Sequence, residues 1–269
     1  MNIVCVGDCG VDHYLPSDEK LFGGITANFA RHACQQFPPD DLVQIISAVG
    51  DDQGATMVLD MLSDSGIDCH ISRLKGATPV QYIRVQPDGE REFVRYDAGV
   101  LNDFRIGDEQ SKIIQKADLL VAPVYLQIVG LFDELMSIEH SGQTSVDFAD
   151  FLQHPDFDLL ERYIGKIDIG FFGLSVNDTE TIRRIEELAR QYNKLFVVTL
   201  GAGGSRAFLG DAQFGWPAAA VDEVIDTTGA GDAFAAGFLS QYCHGQDILK
   251  GLASGANLAA TVVQRHGAI

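Results

Sequence analysis

Short apolar segments bounded by Gly, Asp or Asn recur along the whole chain, and stretches with helical periodicity lie between most of them. Short bounded apolar runs are typical of buried strands, whereas apolar residues spaced at i, i+3 and i+4 are typical of amphipathic helices. The predicted strands are 3–6, 43–48, 118–122, 144–148, 167–172 and 195–200, and the predicted helices are 26–36, 55–65, 178–192, 231–242 and 252–263. Because strands and helices alternate, we expect a three-layer α/β/α sandwich with a mostly parallel central sheet.

One segment departs from this alternation. Residues Thr78–Val85 and Glu92–Tyr96 are rich in β-forming residues, with a rough alternation of apolar and polar side chains, and Pro87-Asp88-Gly89 lies between them. A Pro-Asp-Gly sequence between two such runs is a strong hairpin signal. We predict an antiparallel ribbon that stands off the main sheet, either as a lid over a site or as a surface hairpin without a role.

The charge balance excludes several classes of partner. The 269 residues include 19 Lys and Arg against 38 Asp and Glu, which gives a formal net charge of −19. Nucleic acids and anionic membranes are bound by basic surfaces, so we expect neither as a partner. The first residues lack the basic region of a signal peptide, and no apolar run approaches the ~20 residues of a membrane span. We therefore expect a cytoplasmic protein.

The stretch Asp226-Thr227-Thr228-Gly229-Ala230-Gly231-Asp232 has the composition of a phosphate site. It runs directly into a predicted helix, whose first N–H groups and dipole attract an anion, and its small residues let a phosphate approach the backbone. An acid at position 232 would repel that phosphate unless it had a task of its own. Asp232 is therefore either a general base for phosphoryl transfer to a hydroxyl or a residue that caps the helix.

No Lys or Arg lies between Ala207 and Leu249, so backbone amides and a metal ion must neutralise a bound phosphate. Mg²⁺ that arrives with a nucleotide needs only one or two carboxylates, and Asn177 and Glu180 offer oxygen atoms on one face of a predicted helix. A capping box would look similar, and we give the two interpretations equal weight. The Gly-rich stretch Thr199–Ser205 follows another predicted strand and is weak on its own.

Two polar residues near the start of the chain indicate a polyol site. Asp12 and Asn28 could reach a ligand from strand ends, the usual ligand edge of an open α/β sheet, although either alone would pass as a turn or cap residue. The sequence contains no GxGxxG, GxxxxGK[ST], HExxH or GxSxG motif. It therefore gives no support to a Rossmann dinucleotide site, a P-loop, a zinc-dependent hydrolase or a serine hydrolase.

Together these motifs resemble those of the ribokinase-like (PfkB) family of carbohydrate kinases. The stretch 226–232 is similar to the DTxGAGD motif of that family, Gly23-Gly24 with Asn28 to its glycine-pair motif, Asn177–Glu180 to its NxxE motif, and Thr199–Gly204 to its nucleotide loop. The motifs come in family order, and the resemblance covers essentially the whole chain. It implies an ATP-dependent sugar kinase with one ribokinase-like domain, residues 1–269, and a β-lid formed by approximately residues 12–23 and 76–100.

The resemblance also implies roles for individual residues. Asp232 would be the catalytic base, and Gly229, Ala230 and Gly231 would form the anion hole for the transferred phosphoryl group. The sugar would contact Asp12, Gly24, Asn28 and Tyr96; ATP would contact Thr199, Gly201, Gly204, Asn257 and Asn177; Mg²⁺ would be held by Glu180, and K⁺, which some members use, by Asp226 and Thr228.

Within the family, several stretches are most similar to fructoselysine 6-kinases, namely parts of 7–14, Arg95–Val100, Asp147–Asp150 and His266–Ile269. That similarity implies a fructosamine, an amino acid glycated at its amine, as the acceptor. Ribokinase, fructokinase and nucleoside kinase activities stay open, as do a sensor that binds nucleotide or sugar without catalysis and a homodimer formed through the lid. The stretch Val49–Gly54 lacks one residue of the family's VGDDxxG loop.

Overall fold

Strands and helices alternate along most of the chain in the computed structural model, which describes residues 1–149 and 151–269. The strands are β1 (Asn2–Val6), β2 (Gly10–Tyr14), β3 (Glu19–Gly23), β4 (Leu42–Val49), β5 (Asp68–Arg73), β6 (Val80–Val85), β7 (Arg91–Asp97), β8 (Leu119–Pro123), β9 (Gln143–Asp147), β10 (Ile169–Gly173), β11 (Leu195–Thr199), β12 (Ser205–Leu209) and β13 (Ala212–Trp216). The helices are α1 (Ile25–Gln36), α2 (Gln53–Ser63), α3 (Asp108–Ile114), α4 (Val129–Ser137), α5 (Phe157–Tyr163), α6 (Thr179–Tyr192), α7 (Ala230–Gly245) and α8 (Ile248–Val262). Asp150, which belongs to one of the stretches similar to fructoselysine 6-kinases, lies outside the described residues.

Within the described residues, the central sheet has nine strands in the order β13-β12-β11-β10-β9-β8-β1-β4-β5. Neighbouring strands from β11 to β5 pair in parallel, and β12 and β13 add an antiparallel edge next to β11. The prediction of a mostly parallel sheet is confirmed. Because parallel strands all end at the same edge, the loops after β1, β9, β10 and β11 lie along one side of the sheet.

Both faces of the central sheet are covered by helices. Helices α1, α2, α7 and α8 contribute buried apolar residues on one face, and α3, α4, α5 and α6 on the other. Side chains alternate along a strand, so Phe171 packs against Phe238 of α7 while Phe172 packs against Phe196 on the opposite face. Burying each such ring contributes roughly 1.5–3 kcal/mol. The three-layer α/β/α architecture is therefore the one that the sequence predicts.

Two predicted helix boundaries are wrong. The last helix was expected from residue 252 but begins at Ile248, because the carboxylate of Asp247 caps it by accepting a hydrogen bond from the N–H of Lys250 (3.1 Å). Helix α6 begins at Thr179, so Asn177 precedes the helix and does not share a helix face with Glu180. The Asp178 carboxylate accepts the N–H of Ser175 (2.7 Å), which stabilises a turn at residues 175–178.

A second sheet, here called the small sheet, consists within the described residues of four strands in the order β3-β2-β6-β7. Strands β6 and β7 form the predicted antiparallel hairpin, whose turn is closed by a hydrogen bond from Gln86 N–H to the Glu90 carbonyl (2.8 Å). Strand β2 pairs with β6 in parallel and with β3 in antiparallel orientation. The small sheet therefore joins the chain just after β1 to the hairpin.

The shortened loop Val49–Gly54 is held to the start of the hairpin segment by two acids. Asp51 accepts the N–H of Gly76 (3.0 Å), and Asp52 accepts the N–H of Thr78 (3.0 Å) and caps α2 through Ala55 (3.0 Å). These two carboxylates have structural partners despite the missing residue. In the part of the chain that the structure describes, every helix is too short or too polar to cross a bilayer.

Candidate active site

Four acidic side chains lie around the edge of the sheet where the parallel strands end. Asp8 follows β1, Asp147 ends β9, Asp12 lies in β2 and Asp232 lies in the first turn of α7. Burial raises the pKa of the other three carboxyls, and the charge of Asp8 adds to the rise in each case. Burying several acidic groups close together costs free energy of folding. Carboxyls with shifted pKa values cluster at functional sites.

Asp232, the predicted proton acceptor, lies in the first turn of α7. It is 8% exposed, and its Oδ2 accepts a hydrogen bond from Asn28 Nδ2 (2.9 Å). Burial raises the pKa of Asp232 well above its usual range, the charge of Asp147 adds to this, and the Asn28 hydrogen bond opposes it. A carboxylate with a raised pKa accepts a proton more readily, which suits a general base.

The loop before α7 is shaped by glycine. Gly229 is the N-cap residue with a φ of 77°, a left-handed conformation that favours glycine. A Cβ at this position would also lie 2.4 Å from the Cβ of Ala268, so no other residue fits there without movement of the chain. A Cβ on Gly231 would meet no atom within 4 Å, which leaves open space beside the helix N-terminus. Since the first N–H groups of a helix lack intrahelical acceptors, this space suits an anion.

The predicted sugar contacts Asp12, Gly24 and Asn28 lie on adjoining elements. Asp12 is 3% exposed and packs against Gly23, where a Cβ would lie 2.3 Å from the Asp12 carboxylate. Gly24 has a φ of 104° and is the N-cap residue of α1, which carries Asn28. The Oδ1 atom of Asn28 is buried with no hydrogen-bond partner among the described residues. An unpartnered buried acceptor calls for a donor such as a ligand hydroxyl.

Asp8 connects this site to the start of α1 and to a pair of tyrosines. Its carboxylate accepts the N–H groups of Ile25 and Thr26 (3.1 Å each), which stabilises the first turn of α1. Burial raises the pKa of Asp8, and hydrogen bonds from Thr26, Ile25 and Tyr125 act in the opposite direction. The hydroxyl of Tyr125 donates to that of Tyr96 (3.0 Å). Tyr96, the predicted sugar contact on β7, is therefore linked through Tyr125 to Asp8.

Asp226 is buried and has its hydrogen-bonding capacity filled by protein groups. Its oxygens accept the Tyr14 hydroxyl (2.8 Å) and the N–H groups of Thr228 (2.9 Å) and Gly267 (3.0 Å), and Nδ1 of His266 lies 3.3 Å away. Burial acts to raise the pKa of Asp226, but these hydrogen bonds outweigh it and the pKa is lowered. Asp226 thereby joins β2 and the last residues of the chain to the loop before α7. The role of Asp226 and Thr228 at a cation site stays a prediction.

The predicted nucleotide contacts lie along the same edge of the sheet, on the loops after β10 and β11. Gly201 (φ 54°) and Gly204 (φ 85°) form a tight turn after Thr199, closed by a hydrogen bond from Leu200 N–H to the Gly204 carbonyl (2.8 Å). A Cβ on Gly203 would lie 2.4 Å from Val176, so this turn packs on the segment that contains Asn177.

Two further predicted contacts are exposed. Asn257 lies on the surface of α8. Glu180 has a side chain that is 80% exposed and pairs with Arg183 (2.5 Å). Its carboxylate therefore stands in solvent beside the segment of Asn177, apart from the buried acidic group.

Several residues of the site were not singled out by the sequence. Asp8 and Asp147 occur only within stretches that carry the family resemblance, and Tyr125 and Arg91 were not named. Arg91 begins β7, and its Nη1 donates a short hydrogen bond to the Thr227 carbonyl, in the loop before α7. The absence of any Lys or Arg between 207 and 249 predicted that backbone amides and a metal ion neutralise the phosphate. The same absence is the signal that could have pointed to a cation from elsewhere in the chain.

Comparisons with known proteins identify the family of the chain and its fold. The sequence profile described as pfkB family carbohydrate kinase matches residues 1–269. The chain is 30% identical over 269 residues to fructoselysine 6-kinase of Escherichia coli K12, with 99% of this chain and 98% of that protein covered. It is 29% identical over 273 residues to fructosamine kinase FrlD of Bacillus subtilis 168, with coverage of 100% and 93%. The fold is similar to that of adenosine kinase from Sinorhizobium meliloti, with a TM-score of 0.85, 21% identity and coverage of 99% and 95%. The chain belongs to the pfkB family of carbohydrate kinases.

Proposed function

We propose that this carbohydrate kinase transfers the γ-phosphoryl group of Mg-ATP to the 6-hydroxyl of a fructosamine such as fructoselysine, with Asp232 as the general base. The observation that carries the proposal is the position of Asp232. It is a buried carboxylate with a raised pKa, held by Asn28 at 2.9 Å, in the first turn of α7. The names of the two relatives described above support the choice of acceptor.

In the proposed reaction, the carboxylate of Asp232 accepts the proton of the acceptor hydroxyl as the hydroxyl oxygen attacks the γ-phosphorus. A bond forms between that oxygen and the phosphorus, and the bond from the phosphorus to the bridging oxygen of ADP breaks. The backbone N–H groups at Gly229, Ala230 and Gly231 would donate to the charge that develops on the transferred group, and Ala230 would give up its hydrogen bond to the Thr227 carbonyl (3.3 Å) to do so. ADP leaves as the anion, and the proton is held at Asp232.

The acceptor is held from the side of α1 and the small sheet. The free Oδ1 of Asn28 is available to accept a sugar hydroxyl, and the carboxylate of Asp12 to accept another. The same Asn28 side chain donates to Asp232 through Nδ2, so sugar binding and the position of the base depend on one amide. A hydroxyl that is bound by Asn28 is therefore brought near its proton acceptor.

ATP would contact the loops after β10 and β11, through Thr199, Gly201, Gly204 and Asn177, with its base towards Asn257 on α8. The residues present fit Mg²⁺, because Asn177 and Glu180 offer oxygen donors and the Glu180 carboxylate is exposed and free to exchange its partner Arg183. When bound, Mg²⁺ neutralises part of the phosphate charge. K⁺ would be held near Asp226 and Thr228, and the Oγ1 atom of Thr228 is buried with no hydrogen-bond partner among the described residues.

The test of the proposal is ADP release, coupled to a spectrophotometric assay, with Mg-ATP and a panel of fructoselysine, other fructosamines, fructose, ribose and nucleosides, with and without K⁺. We expect the highest kcat/KM for a fructosamine. If a free sugar or a nucleoside were the best substrate, the choice of acceptor would be wrong, but the proposed kinase activity would still stand.

Asp232→Asn tests the base. We expect kcat to fall on the order of 10²–10⁴-fold, with the affinity for ATP little changed. The matched control is Asp60→Asn, at an exposed position on α2, which should keep wild-type kcat. If the activity of Asp232→Asn stayed within a few-fold of wild type, Asp232 would not be the base.

A further inference from the structure

The four acids of the candidate site differ in how well protein groups satisfy them. Asp8 accepts two backbone N–H groups at the start of α1 (3.1 Å each), and Asp232 accepts the amide of Asn28 (2.9 Å). Among the described residues, no hydrogen-bond donor reaches the carboxylate of Asp12 or Asp147, and no basic side chain forms an ion pair with either. Asp12 is only 3% exposed. Carboxylates buried without donors are costly, so both call for donor groups on a ligand.

The site is also poor in positive charge. Among the described residues, Arg91 is the basic side chain whose charge lowers the pKa of Asp12, Asp147 and Asp232. Burial nevertheless raises the pKa of all four carboxyls, so their ionised forms are disfavoured until another positive charge arrives. The phosphates of ATP bring more negative charge. An acceptor with a positive charge is therefore better matched to this site than a neutral sugar of the same shape.

Asp147 is the unpartnered acid beside the general base. Of the charges that raise the pKa of Asp232, that of Asp147 has the largest effect, and both side chains line the same small cavity between β9 and α7. In the furanose form of a fructosamine, which leaves the 6-hydroxyl free, C1 with its amine and C6 with its hydroxyl are attached to the two carbons that flank the ring oxygen. When the 6-hydroxyl lies at Asp232, the amine is therefore close by, on a part of the acceptor that Asp147 can reach.

We propose that Asp147 binds the ammonium group of the acceptor and thereby selects fructosamines over neutral sugars. This proposal rests on the proposed function. The secondary amine of a fructosamine is protonated near neutral pH and offers two N–H donors together with a positive charge, and an ionised carboxylate is the acceptor that binds such a group most strongly. Asp12, beside Gly23 on the small sheet, stays free to accept a sugar hydroxyl.

Binding of the amine also offsets the cost of the buried carboxylate. Burial raises the pKa of Asp147 to about 7, Arg91 opposes this, and the charge of Asp8 adds to it. A positive charge in contact favours the ionised form, so ammonium binding and the ionisation of Asp147 support each other. A neutral sugar leaves the carboxylate without a donor. The discrimination therefore comes from the buried group that the wrong acceptor leaves unpaired.

The test compares two acceptors of nearly the same size, 1-deoxy-1-methylaminofructose, which carries the amine, and 1-O-methylfructose, which is neutral. We expect the wild type to prefer the amine by roughly 10–100-fold in kcat/KM, the value of a hydrogen bond to a charged group. Asp147→Asn should lower kcat/KM for the amine by about this factor and change that for the ether by less than about threefold. Asp12→Asn, the comparison variant, should lower both values by a similar factor, because Asp12 contacts the sugar.

A second measurement separates acceptor recognition from phosphoryl transfer. In calorimetric titrations of the enzyme without ATP, the Kd for the amine should rise by roughly 10–100-fold in Asp147→Asn, while the Kd for the ether stays within about threefold. The Mg²⁺ concentration for half-maximal activity should not change. A raised Mg²⁺ requirement would make Asp147 a metal ligand and overturn the proposal. Thermal unfolding of the same variant checks that it is folded.

The outcomes distinguish this proposal from the function on which it rests. If the wild type phosphorylates no acceptor in the panel, the proposed function fails before Asp147 is tested. If the wild type uses the amine and the ether equally well, the kinase stands and the role of Asp147 is refuted. An equal loss on both acceptors in Asp147→Asn would assign this carboxylate to the transfer step rather than to the amine, which also overturns the proposal.

Discussion

Replacement of Asp147 by Asn is expected to stabilise the protein, by an amount that grows with pH. Burial raises the pKa of this carboxyl from 3.8 to about 7, the charge of Asp8 adds to the effect, and Arg91 opposes it. The folded protein therefore binds the proton more tightly than the unfolded chain does. The associated stability is fully present below pH 3.8 and is lost as the pH rises towards 7, because folding then requires a buried charge.

The magnitude follows from the two pKa values. Each unit of difference corresponds to about 1.4 kcal/mol, so the ionised carboxylate costs about 4 kcal/mol near pH 8 and only about 1.6 kcal/mol near pH 5. Asn has nearly the same shape and does not ionise, so the variant avoids this cost. With roughly 2 °C or more per kcal/mol for a chain of this size, we expect Tm to rise by roughly 8 °C near pH 8 and roughly 3 °C near pH 5.

The assay is thermal unfolding of the wild type and of Asp147→Asn at several pH values between 5 and 8, with Asp60→Asn as an exposed control. The reasoning depends on the trend more than on the size of the gain. A gain that is equal at pH 5 and pH 8 would show that the titration of Asp147 is not its source. A gain that shrinks with rising pH would reverse the sign and refute the argument.

Three further predictions concern the substrate sites. Gly23→Ala should raise the KM for the acceptor more than about tenfold and lower Tm, because its Cβ would lie 2.3 Å from the buried Asp12 carboxylate and must displace it. An unchanged KM would exclude Asp12 from the sugar site. Tyr14→Phe should lower the free energy of unfolding by about 1.5–3 kcal/mol in denaturant titrations, since the buried Asp226 loses a hydrogen-bond donor at 2.8 Å. An unchanged free energy of unfolding would mean that water replaces the hydroxyl. Glu180→Gln should raise the Mg²⁺ concentration needed for half-maximal activity several-fold. Tm should stay within about 1 °C, because the Glu180 side chain is 80% exposed. An unchanged Mg²⁺ requirement would exclude this carboxylate from the metal site.

The sequence predicts those parts of the fold that depend on local patterns. The strand runs, the hairpin at Pro87-Asp88-Gly89 and the Gly-rich turn before α7 are short-range signals, and the structure contains all of them. The predicted first residue of a helix was less accurate where one acidic side chain fixes the start of that helix. Asp247 begins α8 earlier than the apolar pattern suggests. Asp178 stabilises a turn that leaves Asn177 outside α6.

The candidate site depends on contacts between distant parts of the chain, and the local pattern does not contain them. Asn28 and Asp232 are 204 residues apart and meet at 2.9 Å. Only the family resemblance associated them beforehand. Arg91 is 136 residues from Thr227, and nothing near it in sequence distinguishes it from Arg84 or Arg95. The difference lies in which side of the hairpin tip rests on the loop before α7, which is a property of the tertiary structure.

The contact between the hairpin tip and Thr227 also bears on how fast the enzyme turns over. Three hydrogen bonds join Gly89 and Arg91 to that residue within the described part of the chain. At about 1 kcal/mol net for each, together about 3 kcal/mol, the detached arrangement would make up on the order of 1% of the molecules at any moment. If the hairpin covers the site as the predicted lid, product leaves and fresh acceptor enters through that minor population. The first turnover would then be faster than the later ones, and a pre-steady-state burst of phosphorylated product would report the departure of the hairpin as the slow step.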